Sequence, residues 1–110
     1  MTERELQDWI AATARLLGWR IFHARVARTA QGWRTAVSYD GAGFPDLCLV
    51  RDRVVFAEIK VDRGRLRPEQ VVWLDVLREA GQEVYVWRPD DWTSGAIEDV
   101  LRFARADEAA

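Results

Sequence analysis

Two short apolar runs in the middle of the chain leave little freedom in how it can fold. Leu47-Cys48-Leu49-Val50 and the run from Val54 to Val61 are separated only by a tight turn at Asp52-Arg53. They read as adjacent strands, Asp46–Arg51 and Val54–Val61. With a turn of two or three residues, Asp46 falls opposite Glu58 or Ile59. Strand alternation puts Phe56, Glu58 and Lys60 on one face, with Glu58 and Lys60 roughly 6–7 Å apart along it. Ionised residues in the run Val-Val-Phe-Ala-Glu-Ile-Lys-Val are costly to bury unless paired or liganded. A solvent-facing Glu58–Lys60 pair on an edge strand would escape that cost. The convergence of Asp46 on the same spot favours the liganded arrangement.

Lys60 is the only lysine, against fifteen arginines. Arginine stays charged, whereas a lysine ammonium is a compact charge whose pKa shifts with its surroundings, so it can orient or help deprotonate a water. A genome rich in arginine codons would also leave few lysines, so the count alone decides nothing. Beside two carboxylates it points to a metal-dependent phosphodiesterase site. Adjacent carboxylates and a backbone carbonyl are hard oxygen donors suited to Mg²⁺, with Mn²⁺ as a substitute.

With 110 residues, nearly half of them apolar, the chain is expected to form one domain over residues 1–110 around a single core, with a frayed tail at 106–110. One cysteine and one histidine exclude a disulfide framework and argue against structural zinc. Neither a membrane-spanning run nor a signal peptide is evident, so a cytoplasmic setting is expected. The net charge of −2 conceals a polarised chain. Residues 15–35 carry five arginines and no acid, and residues 51–70 carry six bases against four acids. A chain acidic overall can therefore present a local basic surface to phosphates.

The pattern predicts a helix from Glu3 to Leu17 that opens on a Thr2–Glu5 capping box and buries Leu6, Trp9, Ile10, Thr13, Leu16 and Leu17. A strand follows over Trp19–Arg28, then a turn at Thr29–Gly32 and a second arm from Trp33 to Ser38. After the central hairpin, Pro68 starts a helix that ends before Gly81. Glu83–Trp87 is a strand, and Asp90 or Asp91 caps a last helix running to Arg105 across Gly95. The expected class is α/β, a mixed sheet flanked by helices in the order αβββαβ plus a C-terminal helix.

Gly43-Phe44-Pro45-Asp46, Glu58-Ile59-Lys60 and Arg65-Leu66-Arg67-Pro68-Glu69-Gln70, in this order and spacing, resemble the virus-type replication-repair nuclease (VRR-NUC) family of the PD-(D/E)xK superfamily. The likeness extends from Glu5-Leu6-Gln7 and Gly18-Trp19 to Gly81–Pro89. Glu-x-Lys alone would be a weak signal; the three motifs together are specific. The resemblance implies a restriction-endonuclease-like core and Mg²⁺-dependent cleavage of DNA, with no small-molecule cofactor. Short members of this branch are similar to enzymes that act as homodimers on branched DNA, including four-way junctions. A flap, nicking or double-strand endonuclease is the alternative activity, and a non-catalytic binding module of the same fold is the alternative class.

Position by position, the resemblance makes Asp46 and Glu58 metal-binding carboxylates, Ile59 the carbonyl donor and Lys60 the catalytic lysine. Gln70 matches a family glutamine. By periodicity it begins the inward face of its helix, so it either meets water in the first turn or aims at the site, and the resemblance favours the site. Glu5 matches a first-helix glutamate that reaches the metal, in competition with its capping role, and Glu3 is the substitute for that position. Arg67 stands where a capping serine or threonine is usual. Arg63, Arg65 and Arg67 lie in the loop beside the catalytic strand, placed to contact phosphates. His23 and Arg25 share a strand face and are expected to contact the adjacent phosphate, although a lone histidine is more often structural. Trp33 and Trp92 are either junction wedges or parts of a core or dimer interface.

Overall fold

A computed structural model describes residues 1–24, 27–29, 32–34 and 38–103. Helix α1 spans Glu3–Leu16, and strand β1 (Arg20–His23) follows. A short hairpin of β2 (Ala27–Thr29) and β3 (Gly32–Arg34) comes next, then β4 (Leu47–Val50) and β5 (Val54–Ile59). Helix α2 (Pro68–Glu79), β6 (Glu83–Trp87), α3 (Pro89–Thr93) and α4 (Ala96–Arg102) complete the chain. The main sheet has the order β1-β4-β5-β6. Its first two pairings are antiparallel and β5–β6 is parallel, so α2 is the crossover that a parallel pair requires. This is the mixed α/β architecture expected of a restriction-endonuclease-like core.

The apolar alternation of the central strands decides which helices cover which face. Leu47, Leu49, Val55, Ala57 and Ile59 are buried on one face against Leu6, Ile10 and Ala14 of α1 and Ile97 and Leu101 of α4. Helix α2 lies on the opposite face, above the end of β5. The capping box of α1 forms as read: Glu5 N donates to Thr2 Oγ1 at 3.0 Å, and Thr2 N donates to Glu5 Oε2 at 3.4 Å. The helix buries a narrower stripe than expected. Leu16 is 88 % exposed and Trp9 is 44 % exposed. At about 100° per residue, both project well to one side of the Leu6–Ile10–Ala14 line.

Three element boundaries differ from the sequence expectation, each for a local reason. The strand expected over Trp19–Arg28 stops at His23, because its partner β4 begins at Leu47, opposite His23. Ala27–Thr29 pairs instead with Gly32–Arg34 in a separate two-stranded sheet; residues 30–31 of the expected turn lie outside the described residues. The last helix divides into α3 and α4 at Gly95, whose φ of +87° cannot continue a right-handed helix. Residues 35–37 of the expected second arm and the tail from 104 onward lie outside the described residues. Among the described residues, no helix is long and apolar enough to cross a membrane.

The β4–β5 turn is anchored from below by arginine. Arg53 Nε pairs with Glu83 Oε1 at 2.7 Å, with both side chains only 7 % exposed, and Arg53 Nη2 donates to the Val100 carbonyl at 2.6 Å. Arg51 donates to the Leu17 and Leu101 carbonyls, and the indole of Trp19 also donates to the Leu101 carbonyl. Both guanidinium groups lie over the Trp19 ring, at 4.7 and 5.2 Å from its centre. Together these contacts lock the turn to α4. Arg53→Met removes the cation beside the buried Glu83 carboxylate, which keeps its hydrogen bond from Tyr85, and should cost about 3–5 kcal/mol in urea unfolding. A loss below about 1 kcal/mol would show that the pair does not anchor the turn.

Candidate active site

Register brings the two acids together. Leu47 pairs with Ala57, so extending the ladder by one residue sets Asp46 opposite Glu58. Asp46 is pinned there from both sides. Its Oδ2 accepts a hydrogen bond from Ile59 N at 2.8 Å, and its backbone carbonyl lies 3.0 Å from His23 Nδ1. The expected alternatives of Glu58 and Ile59 as the neighbour are therefore both realised, one as strand partner and one as donor.

The loop that delivers Asp46 is tightly built. Gly43 has φ of +87°, and a Cβ on it would fall 2.6 Å from the Glu69 backbone carbon and oxygen. Only glycine lets this loop pass so close beneath the first turn of α2. Phe44 packs edge-on against Phe56 and Trp73 at 5.8 and 4.9 Å, and Trp73 Nε1 donates to the Asp40 carbonyl. By composition alone, Tyr39-Asp40-Gly41-Ala42-Gly43 reads as a flexible, glycine-rich connection. A glycine two residues before a Pro-Asp pair was the available signal for a close approach.

Glu58 is the electrostatic anomaly of the molecule. It is 2 % exposed, and its Oε2 is fully buried with no hydrogen-bond partner. Its Oε1 accepts from Gln70 Nε2 at 2.9 Å, while Gln70 Oε1 accepts from Arg67 N at 2.8 Å. The glutamine thus caps α2 with one end and holds the glutamate with the other. Arg67, in the cap position, makes no side-chain cap of its own. Burial, then repulsion from Asp46, pushes the Glu58 carboxyl up to about 8, and the charge of Lys60 pulls the other way. Lys60 follows the last residue of β5 and extends the ladder through its backbone N–H to Trp87 O at 3.0 Å. Its half-buried side chain makes no ion pair among the described residues.

The remaining sequence candidates are distributed unevenly. Arg63, Arg65 and Arg67 are exposed on the loop between β5 and α2. Arg67 also pairs with Glu69 at 3.4 Å. His23 sits at the site's margin in a structural contact with the Asp46 backbone. Arg25 and the side chain of Trp33 lie outside the described residues. Trp92 packs against Trp9 and the core. Glu5 takes part in the capping box of α1 and is not grouped with Asp46 and Glu58 among the described residues. Glu3, its substitute, is likewise not grouped with them. Among the described residues, no three His, Cys, Asp or Glu side chains group into a ready metal cage. Two carboxylates are the donor set that suits Mg²⁺, an ion that keeps several of its waters.

A sheet of this order, with an aspartate at the mouth of one strand and Glu-x-Lys at the end of the next, defines a nuclease of the PD-(D/E)xK type. Such nucleases generally use divalent metal ions, and DNA is their substrate. The VRR-NUC domain profile matches residues 3–91, and the chain belongs to the VRR-NUC family. A comparison with curated proteins found no match.

Two outcomes test this geometry. Gly43→Ala combines a strained φ with a backbone overlap, and should cost more than about 1 kcal/mol in thermal or urea unfolding. An unchanged melting temperature would mean that the loop is not held against α2. Without metal, the folded protein holds the Glu58 proton from the ordinary 4.5 up to about 8, so stability should fall as pH rises through that window. Glu58→Gln should remove this slope in urea titrations in EDTA between pH 5 and 8.5. Parallel curves for the two proteins would contradict it.

Proposed function

We propose that this protein is a Mg²⁺-dependent DNA endonuclease, with Mn²⁺ able to substitute, acting as a homodimer on branched DNA such as a four-way junction. The observation that carries the metal assignment is the buried, partnerless Oε2 of Glu58 beside a second carboxylate. Neighbouring carboxyl groups resist joint ionisation, and a divalent cation held by both would remove the conflict. Asp46 and Glu58 would hold the ion, with the Ile59 carbonyl as third donor. When bound, the ion polarises the scissile phosphate and lowers the pKa of the attacking water.

The other side chains position and stabilise. Gln70 fixes the rotamer of Glu58 by donating to Oε1, leaving Oε2 as the free donor atom. The Ile59 amide holds Asp46 in register in the same way. Lys60 orients the nucleophilic water or offsets the negative charge that gathers on the phosphorane. Arg63, Arg65 and Arg67 contact the phosphates flanking the cut without reading bases. A cytoplasmic setting fits a DNA-processing role.

Branched DNA and dimerisation rest on the resemblance of the motifs and on a size argument. One site cuts one strand, and a chain of 110 residues offers a small contact surface. Cleavage of labelled four-way junction, flap, duplex and single strand, with Mg²⁺ or EDTA, tests the reading. Paired symmetric nicks on the junction are expected, with Lys60→Ala and Asp46→Asn binding as wild type but cutting at least about 100-fold more slowly. Cutting confined to free flaps would move the assignment to a flap endonuclease. No cleavage of any substrate in Mg²⁺ or Mn²⁺ would leave a binding module.

A further inference from the structure

The face of the sheet that carries Asp46 and Glu58 is only half covered. Helix α2 shields the β5 side, while no helix among the described residues covers the β1–β4 side. In the register of the sheet, Phe22 pairs with Cys48, which pairs with Phe56; one step further from the carboxylates, Arg20 pairs with Val50, which pairs with Val54. These side chains point the same way as Asp46 and Glu58. Successive rows are about 6–7 Å apart. Phe22 is 62 % exposed and Val50 is 41 % exposed. They line an open groove of about 500 Å³ that wraps over the β1 edge of the sheet, with Cys48 and Arg20 on this face and Trp19, Ile21 and, from the end of α1, Arg15 on the other side. Neither arginine makes an ion pair among the described residues.

An exposed aromatic ring flanked by two unpaired arginines, in a groove that starts one residue row from the catalytic acids, fits a nucleotide strand. A ring of this kind stacks a base whatever its identity, and the arginines neutralise the adjoining phosphates. A base reaches a sheet-borne ring only when unpaired. We propose that this groove is a subsite for an unpaired nucleotide beside the cleavage point, with the base stacked on Phe22 and its backbone phosphates held by Arg20 and Arg15. The proposal rests on the nuclease reading and deepens it: the enzyme engages branched DNA through a nucleotide left unpaired at the branch point beside the cut. Charge complementarity and continuity with the catalytic face single out nucleic acid as the occupant. The competing occupant of so apolar a patch is a second copy of this chain.

The test is equilibrium binding of the full chain in EDTA, which separates the subsite from catalysis. The probes are a blunt duplex and the same duplex with a short single-stranded extension carrying 2-aminopurine, read by anisotropy and by fluorescence quenching. Wild type should prefer the extended duplex and quench the probe. Phe22→Ala should lose about tenfold of that preference and the quenching, with blunt-duplex affinity and the unfolding midpoint unchanged; Phe22→Trp should retain both. Arg20→Ala should lower the salt dependence of extended-duplex binding by about one phosphate contact. Equal affinity for both probes, or a preference and quenching untouched by Phe22→Ala, would overturn the proposal. So would a Phe22→Ala protein that sediments as a smaller species than wild type with its extended-duplex preference intact, which would make the patch a self-association face. A wild type that never cuts yet shows the Phe22-dependent preference would refute the catalytic reading and leave the subsite standing.

Discussion

The hydrogen bond from the Ile59 amide to the Asp46 carboxylate is the contact on which the site depends. It fixes an acid at the mouth of β4 beside an acid in β5, and the fold does the rest. The three-residue turn sets the register, and Arg51 and Arg53 clamp that turn to α4 and Trp19. Gly43 lets the approaching loop slide under α2, and Phe44 wedges it in place. Each device restricts where Asp46 can stand. The result is an electrostatic conflict built into a rigid frame, with Glu58 short of both solvent and a partner for one oxygen.

Such a conflict costs stability in the metal-free protein. A fold selected for stability alone would place an apolar residue where Glu58 sits, as it does at Ala57 and Ile59 on either side. Burial raises the carboxyl toward neutrality, and Gln70 partly satisfies it. The unsatisfied remainder has the chemical character of a cation site. Strain of this kind is common where function needs a preorganised charge.

Much of this was legible in the sequence because the informative residues obey short-range rules. The hairpin, the turn and the Asp46–Glu58 juxtaposition follow from strand alternation and a short loop, and α2 follows from Pro68 and a stop at Gly81. What failed depended on partners distant in sequence. Nothing near Ala24 says that β4 is too short to pair beyond His23. Leu16 looks like a core residue until the helix is set against its neighbours. Glu5 carries two readings because a capping box and a metal ligand call for the same residue type, and the structure shows the capping box formed. Gly43 reads as slack in composition, because the backbone it must pass, that of Glu69, is distant in sequence. The role of Arg53 as a buried counter-ion was hidden for the opposite reason: turn arginines are usually solvated.

Titration of Mn²⁺ into the metal-free chain by calorimetry, at pH 7 in buffers of differing ionisation enthalpy, tests the central claim most directly. With the Glu58 carboxyl near 8, one ion should bind per chain and release about one proton, and both effects should vanish in Asp46→Asn and Glu58→Gln. Absence of binding, or an ion bound equally well by both variants, would show that this pair of carboxylates is not a metal site.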